Sequence, residues 1–188
     1  MKKIINLLFR GRIRFLEILR GEFYRLIINL AGGKCGHNLR VGRKVKFKYG
    51  PHAGFFIGDD VYIGDFCIID CPERAILKMG DRSYLSVGVF VAANESVSIG
   101  KATLVAEYTS IRDHDHGTSL AEEVHAQGNV SEPVVIGDDV WVARGVAILK
   151  GACIESKAII GANAVVKGQI PYAGIAVGLP AKVVKYRT

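Results

Sequence analysis

The sequence predicts an all-β body, a three-sided coil of short parallel strands, with a helical segment at its N-terminal end and one protruding loop. Three observations predict it. Aliphatic residues return at every sixth position over most of the chain, a basic amphipathic stretch precedes them, and one polar stretch interrupts them.

A fixed period constrains architecture before any propensity does. Ile57-Gly-Asp-Asp-Val-Tyr is followed at once by Ile63-Gly-Asp-Phe-Cys-Ile and by a third unit from Ile69. The rhythm resumes at Met79, Leu85 and Val91, again at Ile99, Val105 and Ile111, and then runs through Ile136, Val142, Ile148, Ile154, Ile160 and Val166. A small or β-branched residue stands fifth in many units: Val61, Cys67, Val140, Val146, Ala152, Ala158 and Ala164. A helix would smear such positions around its circumference, and a plain strand needs no turn residue every sixth place. A triangular coil satisfies both demands, with the first and fifth positions filling the interior. Three units close one turn, giving coils at 57–74, 79–96, 99–116, 136–153 and 154–171 that stack over one aliphatic column. The scattered glycines, 22 in all, are expected to mark tight corners.

Residues 1–33 form the appendage. Ile4, Leu7, Leu8, Phe15, Leu19, Phe23, Leu26, Ile27 and Leu30 alternate with Arg10, Arg12, Arg14, Arg20 and Arg25 in an amphipathic helical pattern. Two helices are expected, with Gly11 and Gly21 as weak points and an end at Gly32-Gly33. Residues 1–30 could lie in a membrane interface as a peripheral contact or cap the open end of the coil, and the two uses are compatible.

The formal charge of +7 is unevenly spread. Residues 1–48 hold 13 Lys or Arg against Glu17 and Glu22, whereas residues 49–188 hold 12 against 16 acids. A basic end on a mildly acidic body suits an anionic membrane surface, and no nucleic-acid motif accompanies it, so no nucleic-acid partner is expected. The opening apolar residues are cut short by Arg10, Arg12 and Arg14 with no small-residue cleavage site after them, so no export leader and a cytoplasmic setting are expected. Cys35, Cys67, Cys71 and Cys153 lack the spacing of a disulfide framework or a zinc site, and no metal is expected.

The densest cluster of titratable groups is Ile111-Arg-Asp-His-Asp-His-Gly117, at the end of the third of these coils. Neutral imidazole can take a proton from a hydroxyl, which makes His114 and His116 candidate general bases, with Asp113 as a candidate orienting group. The polar stretch 117–135, with Glu122, Glu123, His125 and Gln127, breaks the repeat as functional loops do. Trp141 is the only tryptophan and stands sixth in its unit, pointing outward.

The stretch Val135-Ile-Gly-Asp-Asp-Val-Trp141 through Gly178-Leu-Pro-Ala-Lys182 resembles the hexapeptide-repeat acyltransferases, and within them the polysaccharide, galactoside and maltose O-acetyltransferase branch. The resemblance implies that residues 34–185 form a left-handed parallel β-helix, against the usual right-handed preference of crossovers. It implies acetyl-CoA as acyl donor, a sugar or glycan hydroxyl as acceptor, such as a precursor of O-antigen, capsule or exopolysaccharide, and a homotrimer with sites between subunits. In that branch the catalytic histidine stands sixth in its unit, which by count from Ile111 is His116; His114 remains the competitor. Trp141 then lines the acceptor site, and loop 117–135 corresponds to an arm over the neighbouring subunit. Ala143, Arg144, Gly161 and Ala162 flank the pantetheine, with Lys167 and Lys182 near the phosphates; Arg144 replaces a small residue. An N-acyltransferase on an amino sugar and a non-catalytic scaffold subunit are the alternatives. His114, His116 and His125 do not match the spacing of a γ-type carbonic anhydrase zinc site.

Overall fold

Aliphatic side chains at every sixth place need an interior that successive units share, and the chain supplies it by winding around three faces. A computed structural model of the chain describes residues 2–188, with side chains described from Gly11 onward. The first face has seven strands, from Lys34–Cys35 through Phe55–Ile57, Ile76–Met79, Ser96–Ile99, Val134–Ile136 and Cys153–Ile154 to Gln169–Ile170. The second face includes Tyr62–Ile63, Tyr84–Leu85, Leu104–Val105, Trp141–Val142 and Ile159–Ile160; the third includes Ile68–Asp70, Phe90–Ala92, Ser110–Arg112, Ala147–Ile148 and Val165–Val166. The chain visits the three faces in turn, so each circuit is one coil of a parallel β-helix.

The register is the one that the sixfold spacing requires. Ile57 pairs with Met79, Met79 with Ile99, Ile99 with Ile136 and Ile136 with Ile154, all parallel. The first and fifth positions are buried together: Val140, Ile148, Ala152, Ile154, Ala158 and Ile160 are each at most 1% exposed. Burying one such isoleucine contributes about 2–3 kcal/mol. A coil outside the predicted set opens the body, because Cys35, Val41 and Phe47 keep the same spacing and pair with Ile57, Ile63 and Ile69.

The glycines serve the corners differently from the expectation. Left-handed backbone at the corners falls largely on other residues, among them Asp60, Phe66, Asp139 and Lys157. Glycine directly after the aliphatic position is needed for stacking: a Cβ on Gly58 would stand 2.7 Å from the backbone nitrogen of Asp81 in the next coil.

The appendage is one helix, α1 (Lys2–Leu30), and not two. Gly21 does not break it, because Gly21 is where the helix lies closest to the body; a Cβ there would collide with the carbonyl of Leu39. Tyr24 packs against Phe47 with ring centroids 4.5 Å apart, Ile28 is buried in the core, and Arg20 Nε donates to Val41 O at 2.9 Å. The helix thus covers the open end of the first coil. It ends at Gly32, whose φ of +84° lets Gly33 N–H reach back to Ile28 O at 2.9 Å. The side chains of Ile4, Leu7, Leu8 and Arg10 in the amphipathic pattern lie outside those described.

The excursion from the coil begins earlier than the break in periodicity suggests. The third-face strand stops at Arg112, and His114–His116 pairs antiparallel with Asn129–Ser131 to form a protruding arm. The coil resumes at Val134.

Candidate active site

Residues that leave the third face and return to the first lie along one edge of the prism. Asp113 is the first of them after Arg112, and it is fully buried. Its carboxylate accepts the backbone N–H of Asn94 at 2.8 Å and of Glu95 at 2.8 Å, which replaces the hydration lost on burial. The same carboxylate meets His114 Nδ1 at 2.8 Å. An ionised carboxylate only accepts, so Nδ1 carries the proton and Nε2 keeps its lone pair. The His114 side chain is 18% exposed.

His116 lies two residues farther along the arm, opposite Asn129, and is exposed. No hydrogen bond to its ring is present among the described residues. The count that selects it from Ile111 runs along the coil, but the chain has left the coil at Asp113, so the two imidazoles are separated by environment and not by register.

The arm is held by groups that periodicity does not reveal. Asn94 Nδ2 donates to Ser131 Oγ at 2.7 Å, while Asn94 Oδ1 accepts from Arg74 Nη2 at 2.8 Å. Within the arm, Gln127 bridges the backbone of Ser119 and Glu122. His125 sits on a short turn at Val124–Ala126, largely exposed and 3.4 Å from Glu123. Below the arm, on the same edge, Asp115, Glu132, Lys150 and Lys167 line a cavity of about 420 Å³.

The other predicted residues lie elsewhere on the prism. Ala143 and Arg144 turn the corner between the second and third faces, and Gly161 and Ala162 turn it one coil later, with Ala143 N–H donating to Ile160 O at 2.9 Å. Arg144 Nε is 3.3 Å from Glu107. The N–H groups of Arg144 and Ala162 meet no protein acceptor among the described residues, and the side chains of Ala143 and Ala162 beside them are small. Lys182 begins the strand Lys182–Tyr186, which runs antiparallel along the end of the second face.

Trp141 stands in the middle of the second face, half exposed. It belongs to a ladder with Leu104 and Tyr84, and this ladder lines a cavity of about 310 Å³ with Ser86 and Ala106. The sequence holds the signal for this ladder, since each member directly precedes a column residue: Val105, Leu85 or Val142. The structure therefore brings Asp113, His114, His116 and Lys167 to one edge. It brings Ala143, Arg144, Gly161 and Ala162 to another, with Trp141 on the face opposite the first edge.

The four cysteines are free, and Cys67 and Cys71 are buried. Burial pushes the Cys67 thiol up to about 11 and the Cys71 thiol up to about 12, which suits packing and not nucleophilic chemistry.

Residues 133–168 match the family model for the bacterial transferase hexapeptide, six repeats. The chain is 34% identical over 125 residues to an Escherichia coli protein, WbbJ, described as a lipopolysaccharide-biosynthesis O-acetyl transferase, covering 62% of this chain and 64% of that one. It is 36% identical over 149 residues to a Mycobacterium tuberculosis protein described as an acetyltransferase, covering 78% of this chain and 49% of that one. The chain thus spans less than two thirds of either relative. Among solved structures, the N-acyltransferase AntD from Bacillus cereus, in complex with dTDP and coenzyme A, superposes with a TM-score of 0.72 at 19% identity, over 82% of this chain and 83% of that one. At that identity the likeness speaks for the fold alone.

Proposed function

From the match of residues 133–168 to the hexapeptide transferase model and the likeness to two acetyltransferases, we propose that this chain is an acetyl-CoA-dependent O-acetyltransferase of the hexapeptide-repeat family that acetylates a sugar hydroxyl, with a surface-polysaccharide precursor as acceptor. The observation that carries this reading is the buried Asp113 carboxylate held 2.8 Å from His114 Nδ1 at the base of the arm. It leaves Nε2 of a partly exposed imidazole unprotonated, which a general base requires. His114 is therefore favoured as the base and Asp113 as its orienting group, and His116 is assigned to the rim, where it meets the acceptor.

In the reaction, His114 Nε2 takes the acceptor's hydroxyl proton as the oxygen attacks the acyl carbonyl. The C–S bond then breaks, and the proton passes from the imidazolium to the departing thiolate, so the base returns to its neutral form. Acetyl-CoA supplies the activated acyl group. The corner at Ala143, Arg144, Gly161 and Ala162 would hold the pantetheine amides, with Lys182 of the same copy and Lys167 from the His114 edge of the neighbouring copy as cations for the phosphates. The corner and the His114 edge are separate edges of one prism, so a complete site needs one edge from each of two neighbouring copies. That requirement supports a homotrimer, in which the exposed ladder at Trp141 faces the neighbour's arm and lines the acceptor site. The free thiols fit a cytoplasmic setting.

Purified protein given acetyl-CoA and candidate glycans should release free CoA thiol, with the acetyl group recovered on oxygen. Release with amine acceptors alone would move the assignment to an N-acyltransferase. Absence of both release and CoA binding would support a scaffold.

A further inference from the structure

α1 uses one side to cap the first coil and leaves the other uncovered. Phe15, Leu16, Leu19, Phe23, Leu26 and Leu30 recur at three- and four-residue steps, opposite the side that carries Gly21, Tyr24 and Ile28 to the body. Phe15 and Phe23 are each 59% exposed and Leu30 78%. A helix of a soluble body normally turns its apolar stripe to the core, so an outward stripe of this size marks a contact surface.

Charge selects the partner. α1 holds seven Lys or Arg against two Glu. Both acids are already engaged, Glu22 with Arg25 at 2.7 Å and Glu17 with the Tyr62 hydroxyl at 3.2 Å. The first coil adds Lys34, Lys44 and Lys46, together with Arg40, Arg43 and Lys48, which are paired with Glu17, Asp65 and Asp70, while the body beyond residue 48 is net acidic. Two such faces meeting each other would bring their arginines together. No helix among the described residues is long and apolar enough to cross a membrane. An apolar stripe bordered by cations and unable to span a bilayer has the character of an interfacial helix.

We propose that the outward face of α1 docks the protein on an anionic phospholipid surface. Since α1 lies across the end of the β-helix, docking stands the prism upright on the bilayer. The arm edge leaves from the fourth coil, about three strand spacings of ~4.8 Å above the first. With a helix diameter of ~10 Å, His114 stands about 25 Å above the lipid. Resting on the acyl-transfer reading, this places the base where a glycan carried on a lipid would meet it, and a trimer would present three such helices together.

The full chain is floated on a density gradient with vesicles of equal parts phosphatidylglycerol and phosphatidylcholine, and with phosphatidylcholine alone. Co-flotation with the anionic vesicles is expected, reduced about tenfold with phosphatidylcholine alone and at ~1 M salt. Leu19→Glu with Phe23→Glu should lower binding about tenfold, and Phe23→Ser alone, a milder change, should lower it measurably; thermal midpoint and CoA thiol release with a soluble acceptor should stay unchanged. The proposal is overturned if wild type stays unbound with anionic vesicles, or if both variants float as well as wild type. It is equally overturned if light scattering without lipid gives wild type twice the mass of the variants, since a second copy then occupies the face. Thiol release and flotation are read separately, so failure of docking leaves the acyl-transfer reading standing, and the converse holds.

Discussion

The coils from Val134 to Val166 and the excursion from Asp113 to Pro133 divide two tasks within one chain. In the coils every sixth side chain is interchangeable in kind: Ile136, Val142, Ile148, Ile154, Ile160 and Val166 are all buried aliphatics in one register. In the excursion several polar residues have a particular partner: Asp113 with the backbone of Asn94 and Glu95, Ser131 with Asn94, Gln127 with Ser119. Repetition gives stability that is shared and redundant. The break gives directed polar groups that a repeating unit cannot supply, because a repeat places the same chemistry in every coil. A lesion in the coils should therefore lower stability and spare turnover, and loss of the His114 imidazole should do the reverse.

The largest expected effect is that of His114→Ala on turnover. CoA release should fall about 10²–10⁴-fold with the circular dichroism spectrum unchanged, and His116→Ala should fall far less. Equal loss in both variants would mean that exposure, and not the Asp113 contact, decides the base. Asp113→Ala should weaken both halves of the comparison, since it strands the buried N–H groups of Asn94 and Glu95 as well as freeing the imidazole; about 3 kcal/mol of stability should be lost in urea titration. Asp113→Asn separates the two effects, because it keeps the volume while permitting the wrong imidazole tautomer. Ile148→Ala, wholly within the column, should cost about 2–4 kcal/mol and leave turnover per folded molecule near wild type.

The smallest effect concerns pH. The Cys67 and Cys71 thiols are raised by burial to about 11 and about 12 in the folded chain, from 9.0 when unfolded. Their contribution to stability is therefore complete below pH ~9 and is lost as pH rises toward the folded values, when the unfolded chain alone has deprotonated. Urea midpoints across that window should decline, and Cys71→Ala should flatten the decline.

The column was legible in the sequence because a physical rule repeats there: two interior positions per unit, the first and the fifth, returning every six residues, with a close-stacking glycine after the first in many units. The opening coil at Cys35, Val41 and Phe47 escaped the count because only one of its three column residues is aliphatic, amid Lys34, Arg40, Arg43 and Lys46. The continuous α1 escaped it because a glycine spacing reads as weakness until the neighbouring backbone of Leu39 is known. At the site, the cluster 113–116 was visible from its residue types. Which imidazole has a buried carboxylate behind it was not, because that depends on where the chain leaves the coil, and Asn94 and Ser131 are brought to it from distant positions.

The central claim is that the His114 edge of one copy works with the Ala143–Ala162 corner of the next. Chains carrying His114→Ala and chains carrying Ala162→Trp, which blocks the corner, are each assayed alone and then co-expressed and purified as mixed assemblies. Hybrids that release CoA thiol well above either parent are predicted, since some neighbours then combine an intact edge with an intact corner. Hybrids as inactive as both parents, despite verified mixing, would contradict the claim and confine the site to a single chain.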